Sequence, residues 1–316
     1  MTVAFVFPGQ GSQAVGMGKA LADNFASAKA VFAEVDEALG QKLSTLMWEG
    51  PEADLTLTEN AQPALMAVSM AAMRVLEQEH GISLAKIAKF VAGHSLGEYS
   101  ALAAAGTFSL ADTARLLKIR GKAMQAATPV GVGAMAALLG LDFATASAVA
   151  AEAAQGDVCQ AANDNSDGQV VISGTKAAVD RACEIAKAKG AKRAILLPVS
   201  APFHCALMKP AADAMAQALS QVTMNAPAVP LISNVLAAPT SDPALIRQKL
   251  IEQVTGTVRW RESVTFMAAQ GVNLFVEVGA GKVLTGLAKK NAPEAQAIAA
   301  GTPDDIAAAA LILKQG

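Results

Sequence analysis

Gly93-His94-Ser95-Leu96-Gly97 sets a serine between two glycines at the spacing GxSxG, after the apolar stretch Lys89 to Ala92 and before the alanine-rich stretch Leu96 to Ala105. A strand-to-helix turn of this kind holds a serine hydroxyl clear of the backbone. Glycines two residues to either side let strand and helix approach without Cβ clashes. The Leu96 N–H and the helix N-terminus then lie where an oxyanion would form. A neutral serine also needs a base within hydrogen-bonding reach. Of the three histidines, His94 adjoins the serine and should diverge from it, and His80 reads as a surface-turn residue. By elimination the base is His204, in Val199-Ser200-Ala201-Pro202-Phe203-His204. No acid stands out as a third member, since the Asp and Glu residues between Ser95 and His204 read as solvated charge. A backbone carbonyl or an amide side chain is left to orient the imidazole.

Other stretches hold candidate groups with less definite chemistry. Arg120, in Leu-Leu-Lys-Ile-Arg-Gly-Lys, ends an apolar helical stretch. It fits either a water-facing partner of the helix dipole or a guanidinium that clamps a carboxylate, and the pattern alone does not decide. The segment VFPGQGSQAVGMG, Val6 to Gly18, has the outer glycines of a phosphate loop, but Met17-Gly18 stands where Lys and Ser or Thr are required, and GxGxxG fails as well. Asn163 to Gly168 nearly matches a calcium loop, yet Gly174 occupies the position of the bidentate Glu, so a polar turn between two strands is the expected reading. Lys187, Lys189, Lys192 and Arg193 form a small basic run, ordinarily a solvated face. Cys159, Cys183 and Cys205 are odd in number and lack a CxxC pair, which argues against structural disulfides and a zinc site.

These groups must be positioned by a chain of 316 residues that is 53% apolar, enough for a substantial core. With 16% charged residues and a net charge of -2, no overall field marks a nucleic-acid or membrane-surface binder. No secretory signal is evident, and a reducing cytoplasm is the expected location. The charge-free span Ala214 to Ser241 holds Pro227, Pro230 and Pro239 and reads as helix, loop and buried strand rather than a membrane crossing.

Short apolar runs alternating with helical patterns predict an α/β fold with a mostly parallel sheet. Val3–Phe7, Lys89–Ala92, Leu231–Ser233 and Leu274–Val278 read as strands. Between about 131 and 199 the order is β-α-β-β-α-β, with strands at 134–139, 158–161, 169–173 and 194–198 and helices at 143–154 and 176–189. This predicts a discontinuous large domain, 1–129 and 200–316, interrupted by a small domain, 130–199.

FVFPGQGSQ, AGHSLGEYSAL, RGKAMQ, NSDGQVVISG, PVSAPFHCALMKPA and EVGAGKVLTGL, in that order and almost end to end, resemble the malonyl-CoA:acyl-carrier-protein transacylase family of fatty-acid synthesis. The resemblance implies an α/β-hydrolase-like large domain with a ferredoxin-like insert and an active site in the cleft between them. It implies that Ser95 is the acylated nucleophile, His204 its general base and Arg120 the ligand of the malonyl carboxylate. Gln10 and Leu96 would supply oxyanion-hole N–H groups, and Gln253 would help orient His204. Phe203, before the histidine, accords with malonyl over methylmalonyl, as in related polyketide acyltransferases.

The implied partners are malonyl-CoA and an acidic acyl carrier protein, which the basic run Lys187, Lys189, Lys192 and Arg193 could dock. No metal or cofactor is implied, and neither nucleic acid nor membrane. The near-neutral charge and lack of coiled-coil heptads are compatible with a monomer. Asp167, Ala280 and Thr257 depart from common family wording at positions with no catalytic assignment. The rival readings are a serine hydrolase that uses water, an inactive carrier-docking scaffold, and a polyketide-serving acyltransferase.

Overall fold

The computed structural model describes residues 1–315. Its strands, in chain order, are β1 (Val3–Phe7), β2 (Ala88–Gly93), β3 (Gly133–Leu139), β4 (Cys159–Ser166), β5 (Gln169–Thr175), β6 (Arg193–Leu196), β7 (Leu231–Ile232), β8 (Pro239–Thr240), β9 (Leu274–Val278) and β10 (Gln296–Ala300). They make two sheets. The larger has the order β10-β9-β1-β2-β7-β8, parallel except for the β7–β8 edge pair. β1 is buried at every residue, as a central parallel strand covered on both faces requires.

The Thr58–Gln78 helix is buried over most of its length and packs against the Leu110–Ala126 helix. The two backbones meet at Gly121, where a Cβ would stand 2.5 Å from Glu59 Cα and 2.6 Å from the Thr58 carbonyl oxygen. Glycine at this position allows the close crossing.

The smaller sheet, β4-β5-β3-β6, is antiparallel throughout. Helices Phe143–Ala154 and Lys176–Ala188 pack on it, and Ala136, Leu138, Val149, Ile172 and Val179 belong to a core made from this segment alone. The β-α-β-β-α-β order and the mixed α/β class agree with the sequence-based reading.

One part of that reading needs correction. Asn163 to Gly168 is not a polar turn: β4 continues to Ser166, and the turn shrinks to Asp167-Gly168. Register shifts after Ala161 and after Asp164 let polar residues stay in the strand while facing partners outside the sheet. Asp164 is fully buried and receives Arg261 Nε at 3.0 Å and Arg261 Nη2 at 2.8 Å. Val258 N–H donates to the Ala162 carbonyl, and Thr257 Oγ1 to the Ala161 carbonyl at 2.7 Å. Thus β4 is latched to the larger sheet's side of the molecule by polar bonds.

The charge-free span contains the end of helix Lys209–Ser220 and strands β7 and β8, and no helix among the described residues is long and apolar enough to cross a membrane. The three cysteines are free and buried.

Candidate active site

Strand β2 enters the GxSxG turn and the Gly97–Ala104 helix leaves it. A Cβ on Gly93 would lie 1.8 Å from the Gly97 carbonyl oxygen, and one on Gly97 would lie 2.2 Å from that of Phe7. Only hydrogen fits at either position, so the turn is sharp and pressed onto β1. Ser95 itself takes φ 54°, a left-handed conformation that a residue with a side chain adopts only under constraint. Asn234 supplies part of that constraint: Ser95 N–H donates to Asn234 Oδ1 at 2.8 Å, and Asn234 Nδ2 donates to the Gly93 carbonyl at 2.7 Å.

Ser95 Oγ lies 2.8 Å from Nε2 of His204, the histidine reached by elimination. His204 is also left-handed, at φ 59°, and is buried. Its Nδ1 lies 2.8 Å from the Gln253 backbone carbonyl. A carbonyl can only accept, so Nδ1 carries the proton and Nε2 is the bare, basic nitrogen. Burial, and next the Arg120 charge, push the His204 pKa down to about 3. The imidazole is therefore neutral at physiological pH and free to take the serine proton. His94 turns away as expected: its Nε2 meets Asn165 Oδ1 at 2.8 Å and its ring packs on Trp260.

Arg120 is 1% exposed and lies inside the Leu110–Ala126 helix, which excludes the water-facing reading. Its Nη1 donates to Gln62 Oε1 at 2.7 Å, and its Nη2 to Gln253 Oε1 at 2.8 Å and to Ser95 Oγ at 3.1 Å. Burial lowers its pKa, with Tyr99 and Glu98 acting in the opposite sense. The guanidinium Nε has no partner among the described residues. From Gln62 a chain of bonds runs on: Gln62 Nε2 donates to Thr58 Oγ1 at 3.0 Å, and Thr58 Oγ1 to Gln10 Oε1 at 2.9 Å. The backbone N–H groups of Gln10 and Leu96 have no acceptor among the described residues, and both residues line the cavity that holds Ser95.

Thr58, Gln62, Asn234 and Glu98 escaped the sequence reading. Asn234 lies far along the chain in an unremarkable stretch. Glu98 was read with the solvated acids, yet it is fully buried, and it accepts from Gln253 Nε2 at 2.5 Å and from Asn234 N–H at 3.3 Å. Burial raises its pKa to about 7, while those hydrogen bonds and the Arg120 charge act to lower it. Its signal was an acid inside GEYSALAA, a helix with too little polar surface to leave a solvated face.

Ser95, His204, Arg120 and Gln10 line a cavity of about 570 Å³, together with the apolar Met135, Leu197 and Phe203. Gln253 is held behind the first group and does not line the cavity. Lys187, Lys189, Lys192 and Arg193 lie outside its lining. Lys187 pairs with Glu184 and Lys189 with Glu152. No cluster among the described residues has the makings of a metal site.

A family profile described as an acyl transferase domain matches residues 4–309. A malonyl CoA-acyl carrier protein transacylase of Escherichia coli is 50% identical over 306 residues, covering 97% of this chain and 98% of that protein. A crystal structure of an acyl-carrier-protein-S-malonyltransferase from Bartonella henselae is 59% identical with a TM-score of 0.97, covering 99% of this chain and all of that one. A malonyl-transacylase solved in complex with a type II PKS acyl-carrier protein is 43% identical with a TM-score of 0.95, and each chain is covered in full.

Proposed function

The chain belongs to the acyl transferase family, among the malonyl CoA-acyl carrier protein transacylases, and from that premise we propose a ping-pong reaction through a malonyl-Ser95 intermediate. The protein is an acyltransferase that moves malonyl from malonyl-CoA to acyl carrier protein. One observation carries the mechanism: Ser95 Oγ sits 2.8 Å from a neutral imidazole nitrogen and 3.1 Å from a buried guanidinium.

His204 Nε2 takes the Ser95 proton as Oγ attacks the thioester carbonyl. The negative charge that develops on the carbonyl oxygen is met by the Gln10 and Leu96 N–H groups. Collapse of the tetrahedral adduct expels the CoA thiolate, which takes the proton from His204. The carrier's phosphopantetheine thiol then repeats the sequence in reverse, giving its proton to His204 and attacking the malonyl ester. Each half is an acyl exchange with no change of oxidation state, so the steps need neither metal nor redox cofactor.

Arg120 receives the malonyl carboxylate. An uncharged acyl group would leave the guanidinium buried and less well paired, which favours malonyl. The carboxylate also offsets the charge that depresses His204, so the correct substrate makes its own base stronger. Phe203 also lines the pocket. The large domain is assigned to 1–129 and 200–316 and the small one to 130–199, with the acidic carrier meeting the basic run at Lys187, Lys189, Lys192 and Arg193. The similarity to a protein seen with a PKS carrier supports polyketide supply as a second reading of the pathway.

The test is intact mass after mixing with malonyl-CoA, with and without carrier protein. A single malonyl adduct, absent in Ser95→Ala and discharged by the carrier thiol, is expected. No adduct on the wild type sinks the reading, and rapid discharge to water alone makes the protein a hydrolase.

A further inference from the structure

Glu98 is a buried acid that the steps above do not use. It lies three residues after Ser95, on the helix that begins at Gly97, and no part of it reaches solvent. A carboxylate survives there only with partners that offset its desolvation. Both of its partners serve the reacting groups. Gln253, besides donating to Glu98, turns Oε1 to Arg120, its backbone carbonyl to His204 Nδ1, and Nε2 to the Ser95 carbonyl at 2.9 Å. Asn234, whose backbone N–H meets Glu98, holds the Ser95 N–H.

The direction of each bond follows from donor chemistry. A guanidinium only donates, so the Gln253 oxygen must face Arg120 and its NH₂ must face acceptors. A carboxylate at position 98 meets both that NH₂ and the Asn234 N–H as a pure acceptor; a glutamine there would set NH₂ against one of them. Among the described residues the Arg120 cation has no carboxylate bonded to it directly, and the Gln253 amide links it to Glu98.

We propose that Glu98 is a positioning residue of acyl transfer, which through Gln253 locks the His204 imidazole and the Arg120 guanidinium against Ser95. It does at one remove what the acid of a Ser-His-Asp triad does by touching the histidine. The charged and titratable groups around it are Arg120 on the Leu110–Ala126 helix, Tyr99 on its own helix, and His204 beyond Gln253; Ser233 and Asn234 face it from the segment after β7. Because burial brings Glu98 to about 7, its ionisation falls in the range where enzymes are assayed, whereas free His204 stays neutral throughout that range.

The proposal rests on the malonyl-Ser95 reading, and the experiment separates the two. Acylation of the wild type, Glu98→Gln, Gln253→Ala and the double variant is followed by rapid-quench intact mass with malonyl-CoA, with circular dichroism to confirm folding. Glu98→Gln is expected to slow acylation about 100-fold, the scale of a misplaced catalytic group, with KM changed less than about threefold. In the Gln253→Ala background the same change is expected to slow it less than about threefold, because the link it acts through is already gone.

A pH series uses malonyl-N-acetylcysteamine, whose lack of phosphates removes a competing ionisation. Wild-type acylation is expected to rise with pH through about 7 as Glu98 becomes a carboxylate, and Glu98→Gln is expected to lose that limb. A folded Glu98→Gln with the wild-type rate, additive losses in the double variant, or a limb that persists would overturn the proposal. Should Glu98→Gln not fold, a wild-type profile flat from pH 6 to 8 overturns it instead. A wild type that forms no adduct sinks the malonyl-Ser95 reading.

Discussion

Around Ser95, groups from distant parts of the chain, Gln10 to Gln253, meet in one hydrogen-bonded network, and two of them, Ser95 and His204, are held in left-handed backbone conformations. The cavity that holds Ser95 is also lined by Met135 of β3 and by Leu197 and Phe203 of the 197–203 crossing, apolar groups that supply neither nucleophile nor base. Strain of about 1 to 3 kcal/mol per left-handed residue persists only where surroundings over-determine it. The network through Asn234, Gln253 and Glu98 does so around Ser95, and the apolar lining needs no such device. Chemistry resides where the backbone is locked, while the smaller sheet has a core of its own and is joined to the rest by polar bonds and by Met135, Ala162 and Val171 in the larger core.

Arg120→Ala strikes the locked side and should have the largest effect. Two charge-assisted bonds to a carboxylate are worth about 1.5 to 3 kcal/mol each, so kcat/KM for malonyl-CoA should fall at least 100-fold. Acetyl-CoA, with no carboxylate, should lose less than about tenfold, and the ratio of the two rates measures the difference. Equal losses would mean that the guanidinium serves Ser95 and not the substrate. The same variant removes a positive charge that disfavours imidazolium, so the His204 titration should move upward, to be followed by imidazole proton NMR.

Arg261→Ala strikes the fastening and should act on stability with little effect on rate. Burial raises the Asp164 pKa even though Arg261 opposes the shift, so the ion pair does not fully offset the desolvation of the acid. A folded pKa above the unfolded one favours the fold in acid and disfavours it once pH rises through the folded value. At neutral pH the ionised Asp164 therefore depends on Arg261. Breaking a buried pair costs about 3 to 5 kcal/mol, but the Arg261 side chain is 36% exposed, which scales the expected loss in urea unfolding to about 1 to 3 kcal/mol. The loss should shrink as pH falls and Asp164 takes up a proton, and Asp164→Asn, which keeps an acceptor, should change stability by less than about 1 kcal/mol. Acylation within about threefold of wild type in Arg261→Ala would sharpen the contrast between the two sides; a collapse in rate would erase it.

The elbow was legible because its geometry is local: Gly93, Ser95 and Gly97 sit within five residues, and the turn demands those types. His204 was legible by scarcity, being one of three histidines. Thr58, Gln62 and Asn234 were not, since amides and hydroxyls are common and their meaning lies in contacts 48 to 139 residues apart in sequence. Glu98 was misread because acids are usually solvated, though its apolar helix carried the warning. Strand β4 looked like a turn for a related reason: Asp164 and Asn165 are spent on Arg261 and His94 outside their sheet, and alternation within a strand cannot reveal partners that lie beyond it.

The basic run should show the smallest effect. Lys187 and Lys189 are already paired with Glu184 and Glu152, with side chains about half exposed, so half of its charge is answered within the protein. Lys192 and Arg193 are exposed and carry no salt bridge among the described residues. An acidic carrier approaching this face is steered by charges that salt screens within about 8 to 10 Å. Lys192→Glu with Arg193→Glu is therefore expected to raise the carrier KM roughly three- to tenfold in low salt, and the difference should vanish near 0.5 M. The equivalent pair at Lys187 and Lys189 should do less, and the rate of Ser95 acylation by malonyl-CoA should not move, because that half-reaction involves no carrier. A carrier KM unchanged in low salt would return the run to an ordinary solvated face and place docking elsewhere on the rim of the cavity.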